Sequence, residues 1–441
     1  MDFWTGKLNA GFELTLEFNV MYNDRFYPSY ISIDCPEQYV WGFKCDLVKW
    51  DKDSFNVSIP DFDSKFVGRK QHGDSMAVGK WIQGGMEFPL TMHRSFTGVE
   101  PDRPQSPPLE PDYLTSYINI IHPKDKVTLY GVLTQPKGMT PKACAIMVTG
   151  SGPQDYDETI MGHKPFWIIA DYLTKNGYAV LRFDDRGSYR STGNFKTATV
   201  FDFASDVNAA LDFAKEMTGL DDAHLGLIGH SEGSMVSQIV LKTRSLGFFV
   251  SLAGPGAPVK DLMYQQNVDM RELFKISKDE FEVTAGPFLK KVLDISSDPK
   301  LDSTAAAKKI LDLYKKNEKK FSDAAVARFN LADPSGVGDW LDKSLRVFLA
   351  YVPEDYLKGI TIPMLALNGS KDKQVNSKMN LDIFRKYLKN NPKNEVVELE
   401  NKNHMFQTTT NGAMSEYGRL TETFSPDALE VIKNWLNKVY P

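Results

Sequence analysis

At 441 residues and 42% hydrophobic content, the chain exceeds one ordinary domain and can bury a large core, so two domains or one elaborated domain is expected. A net charge of −5 and a pI near 5.9, with no basic run interleaved with aromatics, exclude broad attraction to nucleic acid, and apolar stretches of strand size exclude a transmembrane helix. Three cysteines cannot supply a disulfide framework or a four-ligand zinc site, and no H-E-x-x-H occurs, so neither metal nor cofactor is expected.

The opening Met1-Asp2-Phe3-Trp4 has neither the n-region nor the h-region of an export signal, so none is expected within this chain. Residues 13–20 alternate apolar and polar with period two. Further short runs at 30–34, 43–48, 55–59 and 77–82 are set apart by turn residues such as Trp50-Asp51-Lys52-Asp53 and His72-Gly73-Asp74. Short strands at such spacing predict an N-terminal all-β domain over residues 1–95, a small antiparallel sheet or barrel. Cys35 and Cys45 are candidates to pair across neighbouring strands if the protein is exported, whereas Cys144 reads as a small buried apolar residue. Five prolines between Pro101 and Pro111 then stiffen a linker over residues 96–112.

From residue 113 strands and helices alternate: strands at 114–121, 127–134 and 143–148, a helix at 166–176, a strand at 179–183, a helix at 200–217, a strand at 224–228 and a helix through 241. Strands follow at 248–253, 362–369 and 395–399, with helices at 376–388 and 426–439. This is an α/β pattern, a mostly parallel sheet covered on both faces, whose ligands bind beyond the carboxyl ends of the strands. Residues 259–358 interrupt it. Charged and helical in period, they predict a helical lid inserted after the strand at 248–253; the plainer alternative is a solvated decoration.

The chemistry concentrates at Gly229-His230-Ser231-Glu232-Gly233, between an apolar strand and a helix. In that context G-x-S-x-G predicts a nucleophile elbow, with the serine on a strained turn and glycines where side chains would collide with neighbouring backbone. Ser231 is the candidate nucleophile. Of the seven histidines only His404 lies downstream of it, in a polar loop just past the strand at 395–399, which makes it the candidate base. The acid belongs between them at a strand end, where Asp372 follows the strand at 362–369. Glu354 and Asp355 precede that strand, and Asp382 falls inside the next helix. The alternative role for Asp372 is a helix cap.

Oxyanion donors follow from the same geometry. The backbone N–H of Glu232 opens the elbow helix, and the Glu232 carboxylate suits its positive end. A second donor comes from Ser151 or Gly152 in the small-residue turn after the strand at 143–148; no G-K-[ST] follows to suggest phosphate binding. Asp184-Asp185-Arg186 reads as a structural strand-end loop beside the site, with Arg186 pairing Asp155.

Thr149-Gly150-Ser151-Gly152-Pro153-Gln154-Asp155, Asp184-Asp185-Arg186-Gly187-Ser188, Gly229-His230-Ser231-Glu232-Gly233 and Asn403-His404-Met405-Phe406-Gln407 together resemble the α/β-hydrolase superfamily, in particular a bacterial carboxylesterase branch related to thermophilic esterases and serine aminopeptidase-like hydrolases. The resemblance covers residues from about 113 to the end. It extends to the N-terminal sheet through Trp4-Thr5-Gly6-Lys7-Leu8 and Gly79-Lys80-Trp81-Ile82-Gln83-Gly84-Gly85. It implies an α/β-hydrolase fold with a β-domain in front and, since members of this branch are often exported, a periplasmic or secreted location. Tyr189 stands where the Asp-Arg-Gly loop commonly carries another glycine.

The expectation is a serine carboxylesterase acting on small, short-chain acyl esters, without a nucleic-acid partner or membrane span. An aminopeptidase would need an acidic anchor for a free amino group, for which the insertion offers Asp269, Glu272, Asp279, Glu280 and Glu282. A non-catalytic binding protein on a hydrolase scaffold is the other alternative.

Overall fold

The computed structural model describes residues 2–22, 27–71, 74–329, 334–389 and 391–441, so the expected turn at His72-Gly73 lies outside the described residues. The chain divides into two compact units: Met1–Ser106 with Glu158–Pro165 and Ser415–Thr423, and the remainder.

The first unit is an antiparallel sheet of β1 (Asp2–Asn9), β2 (Glu13–Tyr22), β3 (Pro28–Cys35), β4 (Val40–Lys44), β5 (Asp46–Trp50), β6 (Ser54–Ile59), β7 (Ser64–Gln71), β8 (Met76–Gln83) and β9 (Met86–Ser95), in the order β4-β3-β2-β1-β9-β8-β7-β6-β5. Its two end strands, β4 and β5, are consecutive in the chain with only Cys45 between them. The sheet must therefore curl until its edges approach, as a barrel does. The single strand expected at 43–48 is thus two strands, broken where the chain passes from one edge to the other. Alternate side chains fill the interior around Phe55, whose ring lies 5.2 Å from Trp4 and 5.3 Å from Phe66, centre to centre. Cys35 and Cys45 are both buried free thiols, so the disulfide considered for them is not formed.

Within this unit, Arg103 donates to the carbonyl oxygens of Met161 (3.0 Å) and Gly418 (3.2 Å). His163 is buried between the Thr423 hydroxyl (2.9 Å) and the Tyr417 carbonyl (2.8 Å). The carbonyl can only accept, so Nε2 carries the proton and Nδ1 accepts from Thr423.

The second unit is built on an eight-stranded sheet ordered β10-β11-β13-β12-β14-β15-β16-β17. The strands are β10 (Leu114–Ile121), β11 (Thr128–Gln135), β12 (Cys144–Val148), β13 (Ala179–Phe183), β14 (Leu225–His230), β15 (Phe248–Leu252), β16 (Met364–Gly369) and β17 (Glu395–Leu399). β10 and β11 pair antiparallel and β11 joins β13 antiparallel; the rest are parallel. β12 to β16 are buried at every residue, which is why they read as mostly apolar runs, interrupted only by the buried Arg182, His230, Ser251 and Asn368. One face packs against helices α2 (Val200–Thr218) and α3 (Glu232–Leu241), the other against α1 (Pro165–Lys175) and the C-terminal helix Pro426–Val439.

Two of these helices start at side-chain caps. Asp202 accepts from the Thr199 N–H (2.7 Å) and hydroxyl (2.8 Å), opening α2. The Ser425 hydroxyl accepts from the Ala428 N–H, and the helix it opens buries Leu429, Ile432, Trp435, Leu436 and Val439 at helical spacing. Between β15 and β16 the chain runs through short helices that begin with α4 (Val259–Met270) and include Gly286–Ser296, Ser303–Asn317 and Lys343–Leu349.

Candidate active site

Ser231 sits between β14 and α3 at φ 51° and ψ −120°, a conformation that non-glycine residues rarely adopt. Its backbone is held by an N–H donated to Leu252 O at 2.8 Å and by a carbonyl that accepts from Ser234 N–H at 3.0 Å. The flanking glycines are dictated by close approach. A Cβ on Gly229 would lie 2.4 Å from Gly233 O, and one on Gly233 would lie 2.1 Å from Val148 O.

Asp372 and His404 are both buried and meet through Oδ2 and Nδ1 at 2.7 Å. The second carboxylate oxygen of Asp372 accepts from the backbone N–H groups of Gln374 and Val375, each at 2.8 Å, so the carboxylate is fixed before it meets the histidine. His404 is carried on a turn tied by Asn403, whose Oδ1 accepts from Met405 N–H (3.0 Å) and Gln407 N–H (2.9 Å) while its amide donates to Gln407 Oε1 (2.9 Å). His230, immediately before Ser231, donates from Nε2 to the His404 carbonyl. These supports were not singled out from sequence, although an asparagine directly before the only downstream histidine was a visible turn signal. Glu354 and Asp355 lie in a short helix before β16, and Asp382 pairs with Arg385 at 2.7 Å on the helix Ser377–Tyr387.

Ser231, Glu232, Ser151 and Gly152 line one cavity of about 490 Å³. Its apolar wall includes Phe195, Phe203, Leu262, Met263 and Phe348; Lys196, Gln266 and Gln374 add polar groups. Leu262, Met263 and Gln266 come from α4, and Ser344, Leu345 and Phe348 from the helix Lys343–Leu349, so the insertion contributes walls to this cavity. None of Asp269, Glu272, Asp279, Glu280 and Glu282 reaches it; Asp269, for example, accepts from Gln265 and Asn376.

Glu232 is the one carboxyl on the cavity wall among the described residues. Burial pushes its pKa up to about 7, so loss of hydration outweighs the favourable helix terminus, and the expectation of a simple carboxylate there is corrected. Asp184 is raised to about 7 by burial, against hydrogen bonds accepted from the N–H groups of Arg190 and Tyr156. Arg186 pairs with Asp206 (2.6 Å) and Asp125 (2.9 Å) rather than the expected Asp155, because α2 packs directly over its loop. Tyr189 takes φ 47°, the left-handed conformation a glycine would adopt there without strain.

A profile of the alpha/beta hydrolase fold matches residues 152–409, more than half of the chain and the span that holds Ser231, Asp372 and His404. The chain belongs to the α/β-hydrolase fold family. The sheet order, with its antiparallel second strand, is the scaffold on which this α/β hydrolase carries its elbow. It is 26% identical over 277 residues to the esterase EstD of Thermotoga maritima, an alignment covering 63% of this chain and 58% of EstD. The chain thus spans less than two thirds of that curated relative's length. Among solved structures it is similar to an esterase of Pyrococcus furiosus (17% identity, 79% of this chain and 100% of that one, TM-score 0.47) and to the ferulic acid complex of Est1E from Butyrivibrio proteoclasticus (16% identity, 73% and 98%, TM-score 0.43).

Proposed function

We propose that this α/β hydrolase is a serine carboxylesterase. Ser231 Oγ attacks the acyl carbon while His404 Nε2 takes its proton; Nδ1 is committed to Asp372, which orients the ring and stabilises the imidazolium. The tetrahedral oxyanion is received by the N–H of Glu232 and by that of Ser151 or Gly152. Collapse breaks the ester C–O bond, His404 returns the proton to the leaving alcohol, and water then attacks the acyl-enzyme by the same route to release the acid. What carries this reading is the strained Ser231 on the wall of a cavity shared with both sets of candidate donors. The similarity to EstD supports ester chemistry.

The insertion acts in this proposal as a lid that sets acyl size. A serine aminopeptidase is the less favoured reading, because Asp269, Glu272, Asp279, Glu280 and Glu282 of the insertion lie off the cavity, and Glu232, the one carboxyl lining it among the described residues, shares the wall with a cation, Lys196. A panel of aryl esters and aminoacyl anilides, run on the wild type and on Ser231→Ala, tests the proposal. Ester turnover should dominate and fall about 10⁴- to 10⁶-fold in the variant. Dominant anilide turnover favours the aminopeptidase, and absence of fluorophosphonate labelling at Ser231 favours a binding protein.

A further inference from the structure

Asp185 has no part in the proton transfers above, yet it is bonded to both feet of the turn that carries Ser151 and Gly152. One carboxyl oxygen accepts from the Thr149 hydroxyl at 2.7 Å and the other from the Gln154 N–H at 2.9 Å. The Asp185 N–H also donates to Gln154 O at 3.1 Å, so Asp185 and Gln154 are joined by two backbone-anchored bonds.

Between those feet the turn has little packing. Ser151 and Pro153 are exposed, and a Cβ added to Gly152, which sits at φ 90°, would meet nothing within 4 Å. Shape at the crest is therefore set from the base, where Gln154 also reaches up through its side-chain amide to Ser151 O at 3.3 Å. An acceptor with two oxygens on one rigid carbon suits that task, since it ties two donors at a fixed separation.

We propose that Asp185 is a positioning residue for ester hydrolysis, holding the Thr149–Gln154 turn so that the Ser151 or Gly152 N–H meets the developing oxyanion. The inference rests on the reading of Ser231 as nucleophile. An oxyanion donor contributes in proportion to its preorganisation, and displacing a donor by about 1 Å lowers the rate about 100-fold. Asp185 faces Glu232 across a small gap lined also by Thr149, Gly150 and Asp206, and burial beside the Glu232 carboxyl raises its pKa well above the ordinary aspartate range. The site thus keeps a second acid next to the oxyanion turn despite an unfavourable environment, where an apolar side chain would pack without that penalty.

The test uses the full chain with p-nitrophenyl acetate, a trifluoromethyl ketone as oxyanion analogue, and thermal unfolding. Asp185→Ala should lower kcat about 30- to 100-fold with KM changed less than about threefold, and should weaken the ketone by the same factor as kcat/KM. Asp185→Asn keeps one acceptor for Gln154 N–H and offers its amide to the Thr149 oxygen, so it should recover most of the loss. Thr149→Val removes one bond without touching Asp185 and should lower kcat about 5- to 10-fold, which keeps the proposal testable if Asp185→Ala fails to fold. Full kcat in folded Asp185→Ala or in Thr149→Val, or a fall in thermal midpoint with ketone affinity intact, overturns it. Hydrolysis surviving in Ser231→Ala instead overturns the nucleophile itself.

Discussion

The Nε2–H of His230 donates to the backbone carbonyl of His404 at 3.0 Å, and the two imidazole rings lie 4.8 Å apart centre to centre. The residue before the elbow serine therefore holds the loop that carries the candidate base. His230→Ala should lower kcat about 10- to 100-fold, the size of a sub-ångström to ångström misplacement, whereas His404→Ala should lower it about 10⁴-fold or more. Steady-state kinetics on the two variants checks the ranking; an inert His230 variant beside an active His404 variant reverses the assignment.

Substrate size follows from the cavity. A volume of about 490 Å³ walled by Phe195, Phe203, Met263 and Phe348 suits a small ester, and the exposed surface of the insertion is too charged to anchor at a lipid interface. In a series of aryl esters from acetate to palmitate, kcat/KM should peak at short chains. A maximum at long chains, or a jump in rate when an oil–water interface is added, identifies a lipase instead.

Glu232 gives a signed pH dependence. Its folded-state pKa, about 7, lies above the ordinary 4.5, so the stability it contributes is fully present below pH 4.5 and is lost as pH rises through 7. Glu232→Gln stays neutral. Relative to wild type, the variant should gain roughly 1–2 kcal/mol between pH 5 and pH 8, allowing for its partial exposure. Calorimetry of both proteins across that range checks it, and a pH-independent difference contradicts it.

His163 has the opposite sign. Burial, then the nearby Arg103, lowers its pKa from 6.5 to about 4, so its contribution is present above pH 6.5 and is lost as pH falls through 4. His163→Gln should flatten that part of the acid limb by about 3 kcal/mol. Parallel acid-denaturation curves for the two proteins would remove the assignment.

The proline-rich stretch is expected to stiffen a linker over residues 96–112. Glu158–Pro165 and Ser415–Thr423 belong to the same compact unit as Met1–Ser106. Removing residues 1–110 deletes Arg103, which caps the Met161 and Gly418 carbonyls, and Gln105, which accepts from Thr423 N–H at 2.6 Å. The truncated protein should aggregate or lose several degrees of thermal midpoint. An unchanged thermal transition after truncation overturns this.

By itself the sequence determined whatever depends on neighbours along the chain. Gly229 and Gly233 announce the strained serine because the G-x-S-x-G spacing falls within five consecutive residues, although the Val148 carbonyl that excludes a side chain at Gly233 is distant along the chain, and β12 to β16 announce a sheet covered on both faces because most residues in them are apolar. Chain order singled out His404, and chain order with a strand end singled out Asp372; the two meet at 2.7 Å. β1, β7 and β9 do not stand out in the sequence because the buried face of β1 includes Asp2 and Gly6, that of β7 includes Ser64 and Gly68, and Pro89 interrupts β9. Tertiary structure decided what joins distant residues. The pairing of Arg186 with Asp206, the bond from His230 to His404, the grip of Asp185 on Thr149 and Gln154, and the distance of the insertion's acids from the cavity depend on how elements pack. Periodicity reports which face of an element is apolar but carries no record of which charged partner waits across the gap.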